Sequence, residues 1–273
     1  MAAKNAAYST SSLTWNAVWD RLAVVNGIYM NSANFYFRDE LSEFLSPARR
    51  SAAFDYAFSQ NPTIKHLIEA LGVPHTEVSV IRVNGIVVQL NYRVQHGDRI
   101  EVYPASQPDG DQPAPEPRFI LDNHLGQLAT YLRMLGFDTL YRNDYQDDEL
   151  ALVAVKEGRI LLTRDRRLLM RKVIIYGYSI RNRDPQQQVL EVLRRFSLFG
   201  KIAPFQRCLR CNHPLQPVSK ERVLSRLEPL TKLYYEEFHL CPACDQIYWK
   251  GSHYERMQGL IEAVTRQGGA PVK

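Results

Sequence analysis

The four cysteines of the chain occur as two C-x-x-C pairs, and no other feature of the sequence restricts the fold as strongly. CLRC occupies 208–211 and CPAC occupies 241–244, with 29 residues between the two pairs. A C-x-x-C turn places both sulfur atoms on one side of a knuckle, and two knuckles complete a tetrahedral thiolate site for zinc. We therefore expect a zinc ribbon within 205–250, with zinc ligands Cys208, Cys211, Cys241 and Cys244. Four sulfur ligands leave no coordination position for water, so this zinc would be structural.

Two disulfide bonds are the alternative use of these cysteines, and they require an oxidising compartment. The N-terminus has no basic start followed by an apolar segment of the secretory type, and no run approaches the ~18 uninterrupted apolar residues of a membrane span. We therefore expect a cytoplasmic protein that does not contact a membrane and keeps its thiols reduced. With 273 residues, of which 45% are hydrophobic, the chain is long enough for one large or two smaller folded domains.

A proline-rich stretch divides the chain into two regions. Residues 104–117 contain five prolines together with Gly, Ser, Asp and Gln, a composition that cannot bury a core. We place a linker at 105–117, folded domains at 31–104 and 118–258, and flexible segments at 1–30 and 259–273. Met30 stands directly before the first well-patterned segment, and we expect it to be the natural start of the protein.

The region before the linker has the pattern of an α+β domain. Strand-like segments surround one helical segment, TIKHLIEALGV, in which Thr63 is placed as the N-cap, and Asn84-Gly85 and Gly97-Asp98 mark turns. This order resembles the ubiquitin-like β-grasp fold. Sulfur-carrier members of that fold end in a free Gly-Gly tail, whereas this chain continues into the linker, so the resemblance indicates a module that binds a protein partner. Packing on the neighbouring domain is the alternative.

Two short apolar runs after the linker each end beside an aspartate. Residues 119–121 precede Asp122, and residues 160–162 precede Thr163, Arg164 and Asp165. An acidic cluster lies between these runs, at the predicted start of a helix, and contains Asp144, Asp147, Asp148 and Glu149. In a parallel α/β sheet the carboxyl ends of the strands line a crevice where ligands bind. We therefore expect an α/β domain in which these carboxylates converge.

Carboxylates from separate strand ends suit Mg²⁺ or Mn²⁺, because these cations prefer oxygen ligands. We expect Asp122, Asp148 and Asp165 to be the ligands, with Asp147 and Asp144 as alternates at the helix start. Two such ions about 4 Å apart would activate the attacking water and stabilise the leaving oxygen in phosphodiester hydrolysis. Each acid also has an ordinary structural explanation, because acidic residues stabilise the first turn of a helix.

Basic residues are concentrated in the second half of the chain. Residues 156–232 contain 18 Lys and Arg against 6 Asp and Glu, and the whole chain has a net charge of +5. This distribution favours a polyanionic ligand, and a solvated basic surface is the alternative. Within this region we expect Thr163 and Arg164 to hydrogen-bond a scissile phosphate. Asp184 is explained as the N-cap of the helix that follows it.

Several motifs occur in an order that is specific to one nuclease family. LDNHLGQLATYLRMLGFDTLY, DDEL, EGRILLTRD, RNRDPQQQ and the two C-x-x-C pairs resemble the Mut-seven C-terminal RNase domain, a PIN-like nuclease fold with an inserted zinc ribbon. The segment before the linker is similar to the β-grasp domain that precedes this nuclease in many bacterial proteins. The resemblance implies a Mg²⁺- or Mn²⁺-dependent ribonuclease that acts on RNA, with its acidic residues at Asp122, Asp147, Asp148 and Asp165.

Two alternatives to a nuclease stay open at this point. A non-catalytic RNA-binding protein would use the zinc ribbon and the basic surface, and its acids would be structural. An adaptor would use the β-grasp domain to recruit a protein partner to RNA. The sequence does not distinguish single-stranded RNA from other substrates, because contacts to phosphates do not read the sugar.

Overall fold

Three β-sheets, each packed on its own core, organise the parts of the chain that a computed structural model describes: residues 23–25, 28–50, 52–105 and 117–268. The first sheet contains β1 (Ala23–Val25), β2 (Ile28–Phe37), β3 (Phe54–Phe58), β4 (Val78–Val83), β5 (Ile86–Val88) and β6 (Arg99–Pro104). Its strand order is β1-β2-β6-β4-β5, with β3 also paired to β2. Strands β2 and β6 run parallel, and the other pairs are antiparallel.

Helix α1 (Ile64–Ala70) covers one face of this sheet. The Thr63 side chain caps the helix by accepting a hydrogen bond from the His66 N–H at 3.3 Å. Ile64, Leu67 and Ile68 lie on one side of the helix and belong to the buried core of the sheet. The predicted order of strands around one helix is therefore confirmed.

Part of the predicted flexible extension at 1–30 is described as strand. Strand β1 pairs with the start of β2, with Ala23 opposite Met30, so ordered backbone begins before residue 31. Residues 1–22 lie outside the described chain, as do 106–116, which hold most of the predicted linker.

The second sheet has four parallel strands in the order β10-β9-β7-β8. They are β7 (Phe119–Leu121), β8 (Thr139–Tyr141), β9 (Ile160–Thr163) and β10 (Gly177–Ser179), joined by α2 (Gly126–Met134), α3 (Asp147–Glu157) and α4 (Arg166–Leu169). Side chains alternate along each strand, so Phe119 and Leu121 pack towards α2, whereas Ile120 packs towards α3 and α4. Both faces are covered, which explains the uninterrupted apolar runs in the sequence.

A second helix pair completes one face of this sheet. Helix α5 (Pro185–Arg195) and helix α8 (Ser252–Gly268) pack beside α2, and Ile261 and Val264 of α8 are buried in the same cluster. Helix α8 thus extends into the predicted flexible tail at 259–273, as far as residue 268. Residues 269–273 lie outside the described chain. Among the described residues, no helix has the length and hydropathy needed to cross a bilayer.

A small third sheet lies between α5 and α8 in the sequence. It contains the antiparallel strands β11 (Gln216–Val218), β12 (Phe238–Leu240) and β13 (Ile247–Trp249), with α6 (Lys220–Val223) and α7 (Pro229–Tyr234) inserted after β11. Val223, Leu227, Phe238 and Ile247 form its core. We call residues 205–250 the cysteine lobe.

Gly136 follows the C-cap of α2. It lets the backbone of Ala203 approach more closely than a residue with a side chain would permit. Its φ of +93° lies in the left-handed region, and a Cβ at this position would overlap the Ala203 carbonyl oxygen. Gly136→Ala should therefore lower the free energy of unfolding by about 3 kcal/mol, from backbone strain together with overpacking.

Gly85→Ala is the matched control. Gly85 has a φ of +85°, but no atom lies within 4 Å of the position that a Cβ would occupy, so only the backbone term of about 1 kcal/mol applies. Urea unfolding of both variants measures the difference. Equal destabilisation would contradict a steric role for the contact between Gly136 and Ala203.

Candidate active site and cysteine cluster

The strand order brings the predicted acids to one edge of the parallel sheet. Strand β7 lies between β8 and β9, and Asp122 follows β7, Asp165 follows β9, and the start of α3 follows β8. The carboxyl ends of three adjacent strands therefore carry Asp122, Asp147, Asp148 and Asp165. The structure thus brings three distant parts of the sequence to one edge, as the pattern of strands and helices predicted.

Asp122 is held rigidly at this edge. Its side chain is only 6% exposed, and its Oδ1 accepts a hydrogen bond from the His124 N–H at 2.8 Å. Its Oδ2 accepts a short hydrogen bond from the Thr163 hydroxyl and a second from the Arg164 N–H at 3.3 Å. Three donors converge on one carboxylate and fix its orientation.

Thr163 connects the acids of two neighbouring strands. Its side chain has no exposed surface, and its Oγ1 accepts a hydrogen bond from the Asp165 N–H at 2.9 Å while its hydroxyl donates to Asp122. Both hydrogen bonds of the hydroxyl group are thus made within the protein. The sequence predicted a direct contact between Thr163 and a phosphate, but the buried side chain does not offer that contact. Arg164 is exposed and stays available for that contact.

Asp165 has a capping role that leaves part of its carboxylate free. Its Oδ1 accepts a hydrogen bond from the Arg167 N–H at 2.8 Å and so caps α4. Asp184 caps α5 in the same way, accepting from the Gln186 and Gln187 N–H groups at 3.0 Å each, as the sequence predicted. Asp165 differs from Asp184 in its surroundings, because the Asp165 N–H donates to the same Thr163 hydroxyl group that binds Asp122.

The acids at the start of α3 divide into two groups. Asp144 is bound by Arg142 through two hydrogen bonds of 2.9 Å, and this guanidinium lowers the pKa of the Asp144 carboxyl. Arg142 also pairs with Glu149 at 2.7 Å. Asp147 and Asp148 instead face an open cleft, so they are better placed than Asp144 to hold a ligand.

The cleft has a volume of about 600 Å³ and combines acidic, basic and amide side chains. Its lining residues are Asn123, Tyr145, Gln146, Asp147, Asp148, Arg167, Leu168 and Arg171. Arg171 forms a short ion pair with Asp148 across the cleft. Arg167 and Arg171 were missed by sequence reasoning, although their i, i+4 spacing after Asp165 was a usable signal for one shared surface.

The carboxylates and the cysteines differ in how closely they are assembled. Within the described ranges, the four cysteines are the one group of three or more His, Cys, Asp or Glu side chains whose ligand atoms gather closely enough for a metal ion. Asp148 is drawn towards Arg171, and Asp122 is bound by Thr163. The acids thus follow neighbouring strand ends, but their carboxylate oxygens are not close enough together to form a coordination shell among the described residues.

The four thiols lie within 4.8 Å of one another and could hold zinc. The shortest sulfur–sulfur distances are 3.3 Å, between Cys211 and Cys241, and 3.5 Å, between Cys208 and Cys244. Both exceed the ~2.05 Å of a disulfide bond, so the cysteines are present as free thiols. Burial opposes ionisation of Cys208, but hydrogen bonds from the Tyr248 hydroxyl and the Cys211 N–H lower its pKa to about 6.

Buried polar contacts attach the first cysteine knuckle to the parallel sheet. The buried guanidinium of Arg133 donates to the carbonyl oxygens of Leu209 and Arg210 at 3.0 Å each. Asn212, which has a φ of +70°, accepts a hydrogen bond from the Thr139 N–H at 2.9 Å through its side chain. The knuckle is therefore fixed beside the first residue of β8, an outer strand of the parallel sheet.

Comparison with protein families agrees with this geometry. Residues 117–261 match the model described as Mut7-C RNAse domain, and residues 30–109 match the model described as Mut7-C ubiquitin. No curated protein and no solved structure matched the chain. The resemblance and the fold class stated from the sequence are confirmed: a ubiquitin-like domain, an α/β RNase domain, and a four-cysteine lobe compatible with a zinc ribbon. Because the RNase model covers more than half of its length, this chain belongs to the Mut7-C RNAse domain family.

Proposed function

We propose that this protein is a Mg²⁺- or Mn²⁺-dependent ribonuclease that hydrolyses RNA phosphodiester bonds. The observation that carries the proposal is that Asp122, Asp165 and the Asp147–Asp148 pair follow three adjacent parallel strands. Asp147 and Asp148 also line a cleft that contains Arg167 and Arg171. Membership of an RNase family supports the same reaction.

The chemistry of the donors fits a hard divalent cation. The acids offer carboxylate oxygens only, without thiol or imidazole ligands from the cleft lining, which is the donor set that Mg²⁺ and Mn²⁺ prefer. When bound, such an ion would supply an activated water and stabilise the leaving oxygen. Asp122, Asp148 and Asp165 would hold the ion, and Asp147 would hold it or orient the water.

The remaining polar residues are assigned to substrate and to positioning. Arg164, Arg167 and Arg171 would bind the phosphate oxygens of RNA, because guanidinium groups recognise phosphates through two parallel hydrogen bonds. Arg171 would exchange its contact with Asp148 for a contact with the substrate. Thr163 would keep Asp122 and the Asp165 backbone in place without touching the RNA.

The cysteine lobe is proposed to bind one structural zinc ion. Four thiols in two knuckles match a closed tetrahedral site. The zinc would hold the knuckle that contacts Arg133, and so would support the edge of the sheet at β8.

Asp165→Asn should reduce metal-dependent RNA cleavage by at least about 100-fold, as expected when one charged group of a catalytic site is lost. The amide oxygen can still cap α4, so fold and zinc content should be unchanged. The measurement is single-turnover cleavage of labelled single-stranded RNA in Mn²⁺ or Mg²⁺, with EDTA as the blank.

Asp55→Asn provides the matched control for this variant. Asp55 is an exposed aspartate of the ubiquitin-like domain that accepts one hydrogen bond, from the Asn34 side chain at 2.9 Å. Its variant should cleave RNA at the wild-type rate. Full activity of a folded Asp165→Asn variant would reject this active site, and RNA binding without cleavage by the wild type would favour a binding protein instead.

Thr163→Val should lower the free energy of unfolding by about 1–3 kcal/mol, because Asp122 and the Asp165 N–H each lose a buried partner. Thr163→Ser keeps the hydroxyl and loses one methyl group, which costs only about 1 kcal/mol. Urea unfolding of both variants separates the two effects. A loss in Thr163→Val no larger than that in Thr163→Ser would show that the hydroxyl contributes no more to stability than the methyl group does.

Cys241→Ser should remove zinc from the protein, with a loss of order in the cysteine lobe rather than in the ubiquitin-like domain. Native mass spectrometry should give one zinc ion for each wild-type chain and none for the variant, because a structural site with three sulfur ligands binds far more weakly. Limited proteolysis should then cut within 205–250. Ser225→Ala, an exposed change in the same lobe, should keep both zinc and resistance to proteolysis.

A further inference from the structure

One segment of the RNase domain lies between the acids and the ubiquitin-like domain. It comprises residues 166–181, from the start of α4 to just after β10, and we call it the α4–β10 segment. It begins directly after Asp165 and carries Arg167 and Arg171. The ubiquitin-like domain contacts this segment at its start, its middle and its end.

The contact at the start of the segment involves Phe44. The Arg166 guanidinium lies 4.7 Å above the Phe44 ring and donates a hydrogen bond to the Phe44 carbonyl oxygen at 3.2 Å. Arg166 is the first residue of α4, and Asp165 is its N-cap. Phe44 thus holds the helix next to the residue that is proposed to bind the metal.

The contact in the middle uses a buried histidine. The His75 Nε2 lies 2.9 Å from the Ile174 carbonyl oxygen, and its Nδ1 lies 2.7 Å from the Glu69 carboxylate. His75 is 8% exposed. A ring held between two acceptors fixes the backbone of the turn that follows α4.

The contact at the end of the segment uses a buried carboxylate whose two partners both belong to the RNase domain. Glu77 is 2% exposed; its Oε1 accepts a hydrogen bond from the Ser179 N–H at 2.6 Å, and its Oε2 pairs with the Arg181 guanidinium at 3.2 Å. Burial raises the pKa of Glu77, while Arg181 and the Ser179 N–H favour its ionised form. A carboxylate is rarely this deeply buried unless it is paired, and both partners of Glu77 come from the α4–β10 segment.

These contacts lead directly to the active-site acids. Ser179 is the neighbour of Thr163 in the register of β10 with β9, and the next N–H along β10, that of Ile180, donates to the Thr163 carbonyl oxygen at 2.9 Å. Thr163 in turn binds Asp122. One path of contacts therefore runs from Glu77 across β10 and β9 to Asp122, and a second runs from Phe44 through Arg166 to Asp165.

We propose that the ubiquitin-like domain is a fixed brace of the nuclease site, in which Phe44 and Glu77 are positioning residues that hold the α4–β10 segment. This inference rests on the proposed function, because its consequence is the correct placement of Asp165, Arg167 and Arg171. The ubiquitin-like domain would then support the nuclease site directly, in addition to any role in recruiting a protein partner.

Glu77→Gln in the full-length protein tests the brace. Both partners of Glu77 are donors, so the amide nitrogen of glutamine must face one of them, and one contact is lost without a change in volume. Hydrogen–deuterium exchange of residues 164–181 should become about tenfold faster. The Mn²⁺ concentration for half-maximal binding, followed by electron paramagnetic resonance, and for half-maximal RNA cleavage should each rise about tenfold.

Glu101→Gln is the control, because Glu101 is a partly exposed carboxylate whose partners, Arg38 at 3.4 Å and the Tyr103 hydroxyl at 2.6 Å, both belong to the ubiquitin-like domain. It should change neither exchange nor the Mn²⁺ requirement. If Glu77→Gln does not fold, Arg166→Gln takes its place, with Arg93→Gln as its control. Arg93 also donates to a backbone carbonyl, that of Asn61 at 2.8 Å, but within the ubiquitin-like domain.

The outcomes separate the brace from the proposed function. Unchanged exchange of residues 164–181, or faster exchange with an unchanged Mn²⁺ requirement, would overturn the brace. A wild-type protein that neither binds Mn²⁺ nor cleaves RNA would instead reject the proposed function. In that case the exchange comparison between Glu77→Gln and Glu101→Gln would still decide whether the ubiquitin-like domain holds the segment.

Discussion

The hydrogen bond from the Thr163 hydroxyl to Asp122 is the interaction on which the arrangement of the acids depends. It joins the ends of β9 and β7, where two of the acids stand, and both of its side chains are buried. Buried hydrogen bonds are costly to lose, and without this one Asp122 would keep only the His124 and Arg164 N–H groups as donors. Because the same oxygen also accepts from the Asp165 N–H, one threonine sets the spacing between Asp122 and Asp165.

The two outer strands of the parallel sheet, β10 and β8, each donate a backbone hydrogen bond to another part of the chain. At β10 the Glu77 carboxylate accepts from the Ser179 N–H, and at β8 the Asn212 side chain accepts from the Thr139 N–H. Exposed edges are prone to pairing with other chains, and a four-stranded sheet with strands of three or four residues has little interior to stabilise it. The ubiquitin-like domain and the cysteine lobe thus supply polar partners that the short sheet cannot supply itself.

The sequence predicted those features that local patterns determine. Apolar runs located β7 and β9, the Asp184-Pro185 pair located the start of α5, and the C-x-x-C spacing located the cysteine cluster. Features that depend on tertiary contacts were missed or misjudged. Helix α8 contains only scattered apolar residues. Two of them, Ile261 and Val264, are buried because the helix packs against the cluster formed by α2 and α5, and the sequence pattern alone indicated a tail.

The same distinction explains the active site, where residue types were predictable but their partners were not. Four acids near the strand ends were expected from the sequence. Only the structure shows that Arg142 forms an ion pair with Asp144, and that Arg171, just after α4, forms one with Asp148. Opposite charges on separate elements pair according to geometry that the sequence does not encode locally. Arg171 neutralises Asp148 without metal, and a bound cation would compete for the same carboxylate. If the acids bind an ion as proposed, the position of α4, which Arg166 ties to the Phe44 carbonyl oxygen of the ubiquitin-like domain, should influence how readily they do so.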